Sequence, residues 1–279
     1  MPPPASFSPL NSRPVPILTY HSLDDSGAVT SVAPRDFREH MHILAERGFT
    51  GISLSALLDS WDGRHKLPPS PVVITFDDGF ANVLEHAAPL LADLGFHATI
   101  FVVTGRCGLT NDWPNQAPDA PRLPLLSWSE LVQMATAGFE IGAHSVTHRP
   151  LTEIPQPEAA REIVESKAAI EDQLGKAVQT FAYPFGLFSR TICEVAREQF
   201  RGACTTKLER AKPAHDRHCL PRLDVYYLRR PIFFRIFETP LGHSYLALRG
   251  ASREMRNELV RLGFLRRIEV SPEHVDGGR

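Results

Sequence analysis

The stretch VVITFDDGF, residues 72–80, ends an apolar β-branched run on two adjacent carboxylates, Asp77 and Asp78. Later, HSVTH sets His144 and His148 four positions apart, on one face if that segment turns helically. Two neutral imidazoles and one carboxylate, with a coordination position left open, make a catalytic rather than a structural site for a divalent cation. Such a cation lowers the pKa of a bound water towards about 7 and polarises a carbonyl oxygen. One aspartate suffices as a ligand, which leaves the other as a base within reach of the water. His21 closes the apolar run ILTY, and YPFG, residues 183–186, follows VQTFA. Singly, each has a plain alternative: an Asp-Gly turn, a solvated histidine pair, a hydrogen-bonded buried histidine, a simple turn. Their joint placement at successive strand ends favours chemistry.

The elements that must position these residues alternate. VPILTY, PVVITF, HATIFVV, FEIGAHS, VQTFA and FRGACTT read as strands, and LPRLDVYY as a last one. Between them DFREHMHILAERGF, SALLDSW, FANVLEHAAPLLADLG, SWSELVQMATAG, QPEAAREIVESKAAIEDQLG and SRTICEVAREQ read as helices, two of them closed by Gly95 and Gly175. The Pro- and Gly-rich TGRCGLTNDWPNQAPDAPRLP reads as a functional loop or an insertion. Alternation of this kind predicts a parallel sheet with crossover helices, as a barrel or as an open doubly wound sheet. No G-x-G-x-x-G or G-x-x-x-x-G-K is present, which counts against a nucleotide-binding sheet. In a barrel, chemistry gathers where strands hand over to the following loops.

Composition sets the outer bounds. The chain has 279 residues, 43% hydrophobic and 22% charged, with a net charge of −2, so neither nucleic acid nor an anionic membrane surface is an electrostatic partner. No segment approaches the roughly 20 apolar residues of a bilayer span. MPPPASFSPLNSRPVP lacks the basic start and apolar core of a secretory signal, which predicts a disordered Pro-rich leader over residues 1–14 and a cytoplasmic location. Cys107, Cys193, Cys204 and Cys219 form no C-x-x-C pair and read as small buried hydrophobes, kept reduced.

In order along the chain, TFDDG, HSVTH and FAYPFG resemble the motif series of the polysaccharide deacetylases, carbohydrate esterase family 4 with its NodB-homology domain. The resemblance covers about residues 15–225. It implies a distorted barrel of seven or so strand–helix units, over 15–228, and metal-dependent removal of N-acetyl groups from sugars. Carried onto this sequence, it implies Asp77 as general base and Asp78, His144 and His148 as metal ligands. Tyr183 and Phe185 of YPFG would lie at the oxyanion and substrate, with the Phe185 N–H as oxyanion donor. Zinc is the expected metal, and cobalt, nickel or manganese also suit two histidines and an aspartate.

Two positions depart from the family pattern. Where the family carries an arginine that orients the base, this chain has Ala182, and Arg222 in CLPRLDV is the expected substitute. The late leucine-x-histidine that supplies the general acid has a candidate in His243 of PLGHSYL, but His21 is favoured. That choice resembles the permuted poly-N-acetylglucosamine deacetylase branch, where the acid comes from an N-terminal strand; a barrel closes its last strand against its first. Residues 229–279 match no known pattern. Ile232, Phe233, Phe234 and Phe237 are expected to pack on the barrel, with peripheral membrane contact through 229–250 as the alternative. SREMRNELVRLGFLRR reads as a basic amphipathic helix and SPEHVDGGR as a loose end. The expected substrate is an N-acetylated sugar, oligosaccharide or glycolipid. A formyl amide, an O-acetyl ester or carbohydrate binding without turnover are the rival readings.

Overall fold

The computed structural model describes residues 13–113, 116 and 120–261. The strands are β1 (Ile17–Tyr20), the short β2 (Ser22–Leu23) and β3 (Ser31–Val32), β4 (Thr50–Ile52), β5 (Pro71–Phe76), β6 (Thr99–Val102), β7 (Glu140–Ala143), β8 (Thr180–Ala182), β9 (Gly202–Cys204) and β10 (Leu223–Asp224). The helices are α1 (Pro34–Glu46), α2 (Leu54–Trp61), α3 (Asn82–His86), α4 (Ala88–Asp93), α5 (Trp128–Thr136), α6 (Gln156–Leu174), α7 (Arg190–Gln199), α8 (Pro231–Ile236) and α9 (Pro240–Arg261).

Eight strands form one parallel sheet in the order β10–β1–β5–β6–β7–β8–β9, with β4 paired to the first half of β5. The sheet curls until its edges meet. Leu220 bridges Cys204 of β9, while Leu223 and Asp224 pair with Leu18 and Thr19 of β1. The result is a distorted (β/α)7-type barrel and not an open sheet. The closing seam runs through residues 220–224, so a side chain carried there enters the barrel between its first and last strands.

β5 forms because Val72, Val73, Ile74 and Phe76 are apolar and wholly buried on both faces, the pattern of a strand covered on two sides. α1 turns Phe37, Met41 and Leu44 inward, and its first residue, Pro34, suits a position whose N–H has no helical partner. α5 opens on a capping box between Ser127 and Glu130, and α6 closes at Gly175 with φ 62°. The single helix expected over residues 80–95 is instead two, α3 and α4, meeting at Ala87. Pro89 has no N–H to return to the preceding turn, so the ladder breaks there.

C-terminal to the seam, α8 lies on α1, where the His40 ring stacks on Phe234 at 3.9 Å. Phe234 and Phe237 are fully buried and Phe233 stacks on Tyr245, but Ile232 is 67% exposed, contrary to expectation. A helix of six residues turns one side to the barrel, and Ile232 is on the other. The basic helix expected over 252–267 starts earlier, as α9, and residues 262–267 of that expectation lie outside the described residues, as do residues 271–279 and most of the Pro-rich leader. No helix among the described residues is long and apolar enough to cross a membrane.

Candidate active site

Asp77 and Asp78 leave β5 at the barrel rim. Asp78 adopts φ 69° and Gly79 φ 78°, and a Cβ on Gly79 would meet Val102 Cγ1 at 3.1 Å, so the turn is built for glycine at that point. HSVTH follows β7, but not as a helical turn. Ser145 and His148 take φ 65° and 59°, and the His148 N–H donates to Ser145 Oγ at 3.0 Å. Glu162 on α6 clamps this loop, accepting the Val146 and Thr147 N–H groups at 2.8 Å each and the Thr147 hydroxyl at 2.7 Å. The two imidazoles converge all the same, with ring centroids 4.9 Å apart.

His144 Nδ1–H donates to the Ala182 carbonyl at 2.7 Å, which leaves the Nε2 lone pair facing Asp78. Asp78 Oδ1 lies 3.4 Å from His144 Nε2 and 3.2 Å from His148 Nε2, and it is buried with no hydrogen-bond partner. Ligand atoms of Asp78, His144 and His148 lie within 4.8 Å of one another. An orphaned carboxylate oxygen turned to two imidazole nitrogens fits a divalent cation of the zinc class. Burial alone would raise the Asp78 pKa, but the nearness of the His148 and His144 imidazoles outweighs it and holds the carboxyl well below the ordinary carboxylate value. The carboxylate is therefore ready to ligate.

Asp77 has a different neighbourhood. Arg222, fully buried and delivered by the closing seam, donates Nη1–H to Asp77 Oδ1 and Nη2–H to Oδ2, both at 2.7 Å. Its Nε–H donates to the Thr205 carbonyl at 3.0 Å, and its guanidinium carbon stands 5.7 Å from the Phe101 ring centroid. Burial pushes the Asp77 pKa up, and the charge and hydrogen bonds of Arg222, with smaller help from His144 and His21, more than reverse this. Asp77 stays ionised.

His21 sits between β1 and β2 with Nε2 4.0 Å from Asp77 Oδ2. Its loop is tied to α3 by the Leu23 N–H, which donates to Asn82 Oδ1 at 3.1 Å. His243, the rival, lies exposed on α9. Phe185 is at the rim with φ 58° and its ring 4.7 Å from that of His148. Tyr183 is not brought to the site by its side chain. Its ring is fully buried and its hydroxyl donates to the His218 carbonyl at 3.0 Å, because residues before the 3-10 turn Pro184–Gly186 still alternate as in β8.

Residues that sequence reading passed over complete the site. Trp113, in the long loop after β6, also packs against His148, with ring centroids 4.3 Å apart. The non-glycine residues of positive φ among those described are Asp78, Ser145, His148 and Phe185, all at this rim. Such backbone is costly and gathers where function requires it. A proline or glycine pattern signals a tight turn, but nothing local announces that Ser145 would be left-handed or that Glu162 would hold it.

Residues 64–199 match the family model described as polysaccharide deacetylase. The matched stretch takes in just under half of the chain. Asp77, Asp78, His144, His148, Tyr183 and Phe185 lie within the matched span, and His21 and Arg222 lie outside it. Among curated relatives, YxkH of Bacillus subtilis is 25% identical over 184 residues, 66% of this chain and 61% of that protein. The poly-β-1,6-N-acetyl-D-glucosamine N-deacetylase of Staphylococcus epidermidis is 24% identical over 203 residues, 69% of this chain and 67% of that one. The shared stretch thus spans about six tenths of the first relative's length. Among solved structures, the Streptococcus pyogenes deacetylase PplD, in complex with acetate, superposes with a TM-score of 0.68 at 22% identity, covering 76% of this chain and 92% of that one. That likeness is one of fold.

Proposed function

We propose that this protein releases acetate from an N-acetylated sugar or polysaccharide, with a divalent transition cation held by Asp78, His144 and His148. The observation that carries the reading is the Arg222–Asp77 fork standing beside that ligand set. A zinc-class ion there would polarise the amide carbonyl and acidify a water when bound, and cobalt, nickel or manganese would serve in its place. Asp77 takes the proton as a water oxygen bonds to the acetyl carbon. Arg222 keeps Asp77 charged and fixed, so its lone pairs face the site and not solvent. The Phe185 N–H supports the developing oxyanion. His21 gives a proton to the amine nitrogen as the carbon–nitrogen bond breaks, which yields acetate and a free amino sugar. Trp113 and Phe185 pack against His148 and limit water around it.

A carbohydrate-binding relative without turnover would have no use for a buried, doubly hydrogen-bonded base, so the fork counts against that reading. Exposed Ile232, Leu241 and Leu248 offer an apolar surface for the lipid of a glycolipid substrate. The test is acetate release from a panel of N-acetylated mono- and oligosaccharides and a glycolipid, with and without chelator, alongside formylated and O-acetylated analogues. Chelator-sensitive acetate release from an N-acetylated member is expected. Release from none, with metal bound, would sink the proposal, and preference for the formyl or ester analogue would redirect it.

A further inference from the structure

Cys193 and Cys219 do not behave as isolated buried hydrophobes. Their sulfurs lie 3.7 Å apart, one on α7 and the other in the segment that leads into the closing seam. Asp216 joins them, since the two sulfurs and a carboxylate oxygen lie within 4.8 Å of one another. His218 adds an independent sign. Its Nε2–H donates to the Phe200 carbonyl at 2.9 Å, which leaves the lone pair on Nδ1. That Nδ1 is buried without a hydrogen-bond partner, 3.6 Å from Asp216 Oδ1. A buried polar atom left without a partner is costly and calls for an explanation, an unseen ion among them.

We propose that Cys193, Cys219 and Asp216 form a structural cation site for a zinc-class ion, separate from the Asp78 cluster, and that His218, whose Nδ1 is 3.6 Å from Asp216 Oδ1 but outside that three-residue cluster, turns in as the fourth ligand. Two thiolates, each about 2.3 Å from a tetrahedral zinc, stand about 3.8 Å apart, the separation the sulfurs already have; a disulfide would need about 2.05 Å. Two sulfurs and an imidazole select zinc over magnesium or calcium, which prefer oxygen. Arg197 Nη2–H donates to Asp216 Oδ2 at 2.7 Å and lies 3.9 Å from Cys193 Sγ, while Asp216 Oδ1 accepts the His218 backbone N–H at 3.0 Å, so the carboxylate is held in place beside the sulfurs. Three of the four donors come from the short run DRHC, residues 216–219, and the fourth from a separate helix. The ion pins α7 to the segment that ends in Arg222, so it steadies the approach of the arginine that holds Asp77. The site does not depend on the deacetylase reading, because none of its donors belongs to the active-site cluster.

The test is metal content and cobalt spectroscopy of the full chain, purified without a histidine tag. Two zinc ions per chain are expected, falling to one in the double variant Cys193→Ser, Cys219→Ser and to one in His144→Ala, His148→Ala. Cobalt-substituted wild type should show a thiolate-to-cobalt charge-transfer band that survives His144→Ala, His148→Ala and disappears in the cysteine variant. Should the cysteine variant fold poorly, wild type alone decides by alkylation: both thiols are protected until chelator is added. Cobalt binding without a thiolate band, thiols alkylated at full rate before chelation, or recovery of Cys193 and Cys219 as a disulfide would overturn the proposal.

Discussion

Arg222 and Asp77 stand 145 positions apart in the chain and meet through two hydrogen bonds of 2.7 Å inside the barrel. Each satisfies a charge that burial would otherwise penalise, so losing one partner differs from altering it. Arg222→Ala strands a buried carboxylate, and the loss is expected to be about 3–5 kcal/mol, read as a fall in thermal midpoint. Arg222→Lys keeps a charge but not the planar fork, and is expected to recover much of the stability while kcat stays low. Equal midpoints for Arg222→Ala and wild type would remove Arg222 as the support of the base.

The two groups proposed to transfer protons should separate kinetically. Asp77→Asn should lower acetate release about 10²–10⁴-fold with metal content unchanged. His21→Gln should lose about 10²-fold or more on an amide and far less on an activated aryl acetate, whose leaving group needs no proton. Matching losses on both substrates would exclude His21 as the acid.

Glu162 touches neither metal nor substrate, yet it accepts three hydrogen bonds from the loop between His144 and His148. Glu162→Ala is expected to weaken metal affinity about 10–100-fold, measured by competition with a chelating dye. Glu162→Gln, which keeps an acceptor oxygen, should fall between. An unchanged affinity in both would mean that the loop holds its shape without the clamp.

His40 ties stability to pH. Burial is the main cause that lowers its pKa from 6.5 to about 3, against a weaker opposing effect of the Arg229 carbonyl. The folded chain therefore keeps His40 neutral where the unfolded chain protonates it. Stability from this group is fully present above about pH 6.5 and is lost as pH falls towards 3, at about 1.4 kcal/mol per pH unit. His40→Phe, which can still stack on Phe234, should flatten the decline in thermal midpoint between pH 6.5 and 4.5. Parallel pH profiles for variant and wild type would assign the acid sensitivity elsewhere.

Strand positions were legible because β-branched runs such as PVVITF carry their own signal, and the boundaries of β5 fall on that run. The split between α3 and α4 was legible in principle from Pro89 but was masked by an otherwise continuous helical pattern. The residue types of the Asp78, His144 and His148 cluster were legible, with Asp78 singled out only by the family resemblance, although its path was not: HSVTH converges through left-handed residues and the Glu162 clamp instead of a helical turn. Tyr183 was misplaced because a motif names a residue without saying which way its ring points, and β8 turns it into the core. Trp113 gave no pattern at all, since its contact with His148 joins residues 35 positions apart in the chain.

The sequence by itself determined the alternation of strands and helices and the residue types brought to the rim, because both are set by local spacing and side-chain chemistry. Arg222 and His21 were named from the sequence, but only the tertiary structure puts the Arg222 guanidinium on both oxygens of Asp77 and His21 Nε2 4.0 Å from that carboxylate. Those relationships depend on where the curled sheet closes. Leu220 must bridge β9 and Leu223 must pair with β1 before the guanidinium between them can reach the carboxylate, and no local propensity encodes that closure.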